Sequence, residues 1–219
     1  MKKGTFLIAA GALCILAAIC LILYNVITDQ SAGSASEEAL SQVISHVEES
    51  IPAEGKMTAD LPRDAEGHED DVLYPDYVVN PRMEMPVNTT DGIGYVGILD
   101  LPTLNKSLPV ASEWTYKTLR VTPCRFAGTP YRQNMVICAH NYSRHFGDIT
   151  DLKYGDEVSF TDMAGNVFTY EVAEIETLSP DDFAYMTEGK YPLTLFTCTL
   201  GGASRITVRC QEKQQKDFK

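Results

Sequence analysis

The chain has 219 residues, a hydrophobic fraction of 44% and a net charge of -12, which suits one domain of ordinary size with appendages. The acid is unevenly spread: residues 1–91 carry 15 Asp/Glu against 5 Lys/Arg, and residues 92–219 carry 15 against 13. No basic stripe suited to nucleic acid is present, and the six cysteines contain no CxxC pair or other metal-ligand spacing.

Lys2 and Lys3 precede an uncharged apolar run of 19 residues from Phe6 to Tyr24, which Val26 and Ile27 extend. At about 1.5 Å per residue the run nearly spans a hydrocarbon core of roughly 30 Å. The two lysines favour a cytoplasmic N-terminus, with the rest of the chain outside. A cleaved signal peptide is the competing reading, since SAGSAS at 31–36 offers small residues for cleavage. Its apolar region would ordinarily be only about 7–15 residues long, so an uncleaved single-pass anchor over residues 1–27 is expected. No second run of that length follows, so no C-terminal anchor is expected.

Residues 28–91 read as an acidic extracellular tether. Ser34 with Glu37 three residues on has the form of a capping box. Leu40, Val43, Ile44 and Val47 then follow at i, i+3, i+4 and i+7, which predicts a short amphipathic helix near 35–50. From Ile51 to Asp71 the chain is rich in Pro, Gly and acid, and flexibility is expected there.

From Ile93 short β-branched and aromatic runs alternate with turn residues. Candidate strands are 93–100, 108–111, 119–122, 134–139, 156–161, 166–177, 192–198 and 204–210, with a hairpin loop at 162–166. Strand runs at this spacing predict an all-β barrel or sandwich over 92–219, with short helices only near 145–152 and 180–187.

Cys198 ends the apolar run YPLTLFTC, and Gly201 and Gly202 break the strand just after it. A thiol there can meet a groove, but only the thiolate attacks, so it needs a neighbouring imidazole or cation. Alternatively, Cys198 is a buried core residue. His140 ends another apolar run, MVICA, and is the candidate proton carrier because imidazole titrates near neutrality. His145 reads as a surface or packing residue, and His46 and His68 lie in the tether. Arg205 opens the last strand and can reach an oxyanion formed at Cys198. Arg209 shares its side-chain parity, so Arg205 is preferred only for its nearness to the turn after Cys198. Cys124, Cys138 and Cys210 read as small core residues, with a Cys124–Cys138 or Cys124–Cys210 bridge as the alternative. Asp148 and Asp151 read as a solvated face; no metal or cofactor is expected.

TLFTC at 194–198 with Arg205 downstream resembles the sortase signature, TLxTC with a later Arg. NMVICAHN at 134–141 resembles the family's strand that ends in its catalytic His, and IGYVGI at 93–98 with LPV at 108–110 resembles its opening strands. The resemblance covers residues 92–212. It implies an eight-stranded closed β-barrel, cleavage of an LPxTG-like sorting signal between Thr and Gly through an acyl-thioester on Cys198, and transfer to an amine acceptor. That acceptor would be a peptidoglycan cross-bridge or a pilin lysine. His140 would be the general acid/base and Arg205 the oxyanion and substrate stabiliser. Two departures stand out: Ala139 replaces the family's usual Gly, adding a methyl beside the site, and the Cys198–Arg205 interval is short. The calcium loop of class A has no counterpart. The anchor at the N-terminus alone argues against class C architecture, and the His-Asn pair resembles class B. Asp76-Tyr77 reads as a pair in the tether, or else as a lid over the groove.

Three rivals are weighed. An L,D-type transpeptidase would place Ser and Gly before the Cys, which this chain does not. A membrane-tethered cysteine peptidase would share the dyad and release its product to water. A non-catalytic binding β-domain would bury Cys198.

Overall fold

The computed structural model describes residues 2–50 and 74–213. The segment expected to be flexible, 51–71, and His68 within it lie outside those residues. In chain order the strands are β1 (Asn88–Thr90), β2 (Ile93–Leu101), β3 (Lys106–Ala111), β4 (Cys124–Ala127), β5 (Met135–Cys138), β6 (Glu157–Asp162), β7 (Val167–Leu178), β8 (Leu193–Cys198) and β9 (Arg205–Glu212). Eight of them, β2 to β9, close into a barrel in the order β2-β3-β4-β5-β8-β9-β7-β6, with β6 pairing back onto β2. β1 adds to the start of β2. The closed eight-stranded barrel is therefore the observed fold.

Alternation along each strand sorts side chains between two cores. On β5 and β8, Met135, Ile137, Ala139, Leu193 and Leu195 fill the barrel with Phe146, Phe160 and Val208. Their neighbours Val136, Cys138 and Phe196 face outward into a second cluster with Cys124, Leu119 and Met186. Each such fully buried side chain contributes about 1.5–3 kcal/mol. Ala139 belongs to the inner set, so the methyl expected beside the site enters the barrel interior instead.

Three elements differ from the sequence expectation. The predicted strand at 119–122 is not one. Thr115 Oγ1 accepts from Thr118 N at 3.0 Å and starts a helical turn, α3 (Tyr116–Leu119). The strand comes after Pro123, as β4, which pairs parallel with β3 and antiparallel with β5. β-branched Val121 and Thr122 imitate a strand while serving as a connection. The predicted helix near 145–152 is a single 3-10 turn, Ile149–Asp151; that near 180–187 is α4 (Phe183–Thr187).

The third difference is at the N-terminus. Residues Lys2–Ser50 form one continuous helix, α1, long and apolar enough in its first part to cross a membrane. No cap interrupts it at Ser34, whose Oγ donates to the Gln30 carbonyl at 3.2 Å within the helix. The short helix near 35–50 is the distal end of α1. Its buried face is Ala32, Ser36, Ala39, Val43 and Val47, while Ile44 is exposed. Ala39, Val43 and Val47 pack on Tyr95, Ile98 and Met163 of the barrel. That packing holds residues 28–36 helical despite their Ser and Gly, overriding local propensity.

The four-residue turn α2 (Asp76–Val79) places Tyr77 flat on Tyr131, with ring centroids 4.8 Å apart, and against Phe168. Tyr131 in turn donates to fully buried Asp162 at 2.7 Å. Asp162 also accepts from the N–H groups of Ala164 and Asn166, both at 2.9 Å, which closes the β6–β7 hairpin. Tyr77 thus packs into this corner, while Asp76 beside it is exposed. Cys124, Cys138 and Cys210 are buried, and all six cysteines are free thiols, so neither weighed bridge is formed.

Candidate active site

The register of three adjacent strands brings the candidate residues together. β5 and β8 run parallel with Cys138 abreast of Phe196. Cys198 ends β8 two residues on, and His140 lies two residues past Cys138, just beyond the end of β5. Ala139 N donates to the Phe196 carbonyl at 3.2 Å, and Thr197 Oγ1 donates to the Ala139 carbonyl at 2.9 Å. These bonds lock the two strand ends together. On the other side β8 and β9 run antiparallel, and Cys198 pairs directly with Arg205. Directly opposed residues have Cβ atoms about 4.5–5.5 Å apart on one face. Cys198 and Arg205 therefore share the outer face with Phe196, and the Ala139 bonds hold the chain just before His140 against the end of β8.

The tight turn between β8 and β9 sets the Cys–Arg opposition. Thr199 N donates to the Ser204 carbonyl at 3.0 Å and Ser204 N to Thr199 Oγ1 at 3.1 Å. Gly201 and Gly202 sit at φ 81° and 74°, a region that side chains disfavour. Arg205 Nη1 donates to the Gly202 and Ser204 carbonyls, both at 3.1 Å, which leaves other guanidinium N–H groups for a ligand.

Arg209 is differently placed. It pairs with Thr194, two pairs away from Cys198 on the same face. It is only 3% exposed and donates to Glu176 at 2.8 Å, to Thr194 Oγ1 at 3.1 Å, and to the carbonyls of Met186 at 3.3 Å and Tyr185 at 3.1 Å. These contacts tie α4 to the barrel.

Burial lowers the pKa of His140, and the nearby Arg120 guanidinium lowers it further. Both effects disfavour imidazolium. Arg120 carries no sequence signal that marks it; the α3 turn brings it there. Tyr142 packs on His140 with ring centroids 4.9 Å apart and on His145 at 5.5 Å. An aromatic row, Trp114, Phe126 and Phe183, adjoins Phe196 along the outer face.

His145 is fully buried, and neither ring nitrogen has a hydrogen-bond partner of ordinary geometry. Burial drives its pKa down to about 4; the Val121 backbone and Asp29 oppose the shift, and His140 and Lys106 add to it. The unfolded chain takes up this proton near pH 6.5 and the folded chain only near pH 4. Stability is therefore full above about pH 6.5 and falls as pH drops toward 4, by an amount on the order of 3 kcal/mol. His145→Leu is expected to flatten that slope, measured by urea unfolding at pH 7 and pH 4.5.

Asp148 is partly exposed and pairs with Lys106, and Asp151 is exposed. Among the described residues no group of His, Cys, Asp or Glu gathers closely enough to hold a metal ion.

A closed β-barrel that sets a thiol opposite a guanidinium, with an imidazole just past the end of the neighbouring strand, has the parts of a thiol acyltransferase or peptidase. The sortase-domain family model matches residues 99–213, more than half of the chain. The chain belongs to the sortase family, whose members are cysteine transpeptidases. Solved structures agree in fold. Sortase C1 from Streptococcus agalactiae is 22% identical with a TM-score of 0.53, covering 80% of this chain and 90% of that one. The Clostridium perfringens sortase D5 transpeptidase is 24% identical with a TM-score of 0.51, covering 58% and 83%. Sortase A from Corynebacterium diphtheriae is 20% identical with a TM-score of 0.50, covering 93% and 98%. No curated protein matches the chain.

Proposed function

We propose that this sortase cleaves an LPxTG-like sorting signal between Thr and Gly and joins the new carboxyl end to an amine of the cell wall or of a pilin. The observation that supports the reading is the register: Cys198 lies directly opposite Arg205, and the strand paired with β8 ends two residues before His140. The Cys198 thiolate attacks the Thr carbonyl carbon, and the Arg205 N–H groups meet the oxygen as it becomes negative. The C–N bond to Gly breaks, and imidazolium His140 gives its proton to the departing amine. An acceptor amine then attacks the thioester, passes a proton to His140 and releases Cys198. The aromatic row from Trp114 to Phe196 suits the Leu and Pro of such a signal, because flat apolar side chains pack well on aromatic faces.

The apolar part of α1 serves as the membrane anchor, with the N-terminus in the cytoplasm and the barrel outside, as Lys2 and Lys3 favour. The barrel domain covers 92–219, and 28–91 link it to the anchor 1–27.

Mass spectrometry after incubation with a sorting-signal peptide library and candidate amines tests the reading. The expected result is an acyl adduct on Cys198 that an amine resolves. Release to water alone would instead favour the peptidase reading, and no adduct with any peptide would leave a binding domain.

The reactive thiolate–imidazolium pair holds one proton in all, so the acid limb of kcat/KM reports the uptake of a second proton by the dyad, which His140 takes in the free enzyme. Because burial and Arg120 lower its pKa, that limb is expected below pH 6.5. Arg120→Gln removes a positive charge that disfavours imidazolium, so it is expected to move the limb to higher pH. A limb unmoved or moved down would contradict the assignment.

A further inference from the structure

We propose that Asp29 is a positioning residue for His140, acting through the loop 141–148. The proposal rests on His140 as the proton carrier. Asp29 accepts the Ser143 backbone N–H at 2.8 Å with Oδ1 and takes the Ser143 hydroxyl with Oδ2. One turn further along α1, Gly33 lies against Arg144 so closely that a Cβ would meet Arg144 Cγ at 2.7 Å. Arg144 then reaches Glu37 at 3.4 Å. From the barrel side, Lys106 Nζ donates to the Ser143 carbonyl at 2.6 Å and the His145 carbonyl at 2.9 Å, and pairs with Asp148.

The loop is thus gripped from both sides. Its N–H and hydroxyl are held by α1, and its carbonyls by Lys106. The grip transmits to His140 over one residue, because Tyr142 precedes Ser143 and lies on the His140 ring. The loop also closes on His140 itself, whose carbonyl accepts from Phe146 N at 3.2 Å. A carboxylate accepting two bonds fixes Ser143 more firmly than a neutral partner would. Misplacing a proton carrier by a fraction of an ångström slows the chemical step more than it weakens binding.

Position along the helix adds a consequence. Asp29 is two residues past Ile27, a rise of about 3 Å. The loop that follows His140 therefore sits within about one helical turn of the end of the apolar run.

The full-length chain in detergent tests this with the sorting-signal peptide that acylates it. Asp29→Ala is expected to lower kcat about tenfold with KM within about twofold, at an unchanged melting temperature. Asp29→Asn, which keeps an acceptor oxygen for the Ser143 N–H, is expected to restore most of the rate. Gly33→Leu, which displaces Arg144, is expected to give the same loss in kcat. Wild-type kcat in Asp29→Ala would overturn the proposal, as would a loss that falls on KM or follows a drop in melting temperature. His140→Ala is measured alongside. If it keeps turnover, the reading of His140 fails; if it is inactive while Asp29→Ala is normal, only the positioning role fails.

Discussion

Cys198→Ala is expected to abolish acylation and transpeptidation, with a rate loss of at least about 10³-fold, and to leave the melting temperature within a few degrees. Cys198 is half-buried at a strand end, so losing its sulfur opens no sealed cavity; a change of this kind costs about 0.5 kcal/mol or less. No other thiol can take its place. Cys138 is nearest in the fold, two residues back on the neighbouring strand, and only 5% exposed. Burial, with the Cys198 thiol adding to it, pushes the Cys138 pKa up to about 12. Near neutral pH Cys138 is then held as the unreactive thiol. Burial raises Cys124 further still, and holds Cys210 at about 12 inside the barrel. Alkylation of the folded protein should accordingly mark Cys198 and spare Cys124, Cys138 and Cys210, while Cys14 and Cys20 lie in the apolar run that a membrane or detergent covers. Peptide mapping after brief iodoacetamide treatment checks this. Turnover by Cys198→Ala would end the thioester mechanism, and an inert Cys198 in the wild-type chain would favour a binding domain.

The candidate site was legible in sequence because its residues fall at or just past strand ends. An apolar run that stops at a polar, nucleophilic residue followed by two glycines is a local pattern, and so is MVICA before His140. Which strands lie side by side is not local. The parallel pairing of β5 with β8 and the direct opposition of Cys198 to Arg205 come from closing the barrel. The misplaced strand at 119–122 shows the limit from the other direction: Val121 and Thr122 have strand propensity, but the Thr115 cap and Pro123 decide the local geometry. The N-terminal helix shows it most fully. Ser34 and Glu37 satisfy the rule for a helix start, yet α1 runs straight through them because its far face has a barrel to pack on. Asp29, Gly33 and Arg144 look unremarkable apart from one another and gain meaning only when helix and loop meet.

Arg205 and Arg209 give the sharpest separation of catalysis from stability, since they share a strand and a face. Arg205→Ala is expected to lower kcat/KM by roughly 100-fold, about 3 kcal/mol of transition-state stabilisation for one lost charged donor, with little change in melting temperature. Its own bonds are two carbonyl contacts within the β8–β9 turn, and the turn is held independently by Thr199 and Ser204. Arg209→Ala is expected to do the reverse. It removes a guanidinium that is 3% exposed, paired with Glu176, bonded to Thr194 and two carbonyls, and stacked near Tyr185 and Tyr191. Stripping the partner from a buried charge costs about 3 kcal/mol or more, roughly 10 °C in Tm for a domain of this size. Arg209→Lys should recover little of that, because an ammonium cannot reproduce the planar fork of bonds. Rates measured per folded molecule, well below each variant's Tm, separate the two effects. A larger loss per folded molecule in Arg209→Ala than in Arg205→Ala would transfer the oxyanion role to Arg209, and would require α4 to move aside before the sorting signal binds.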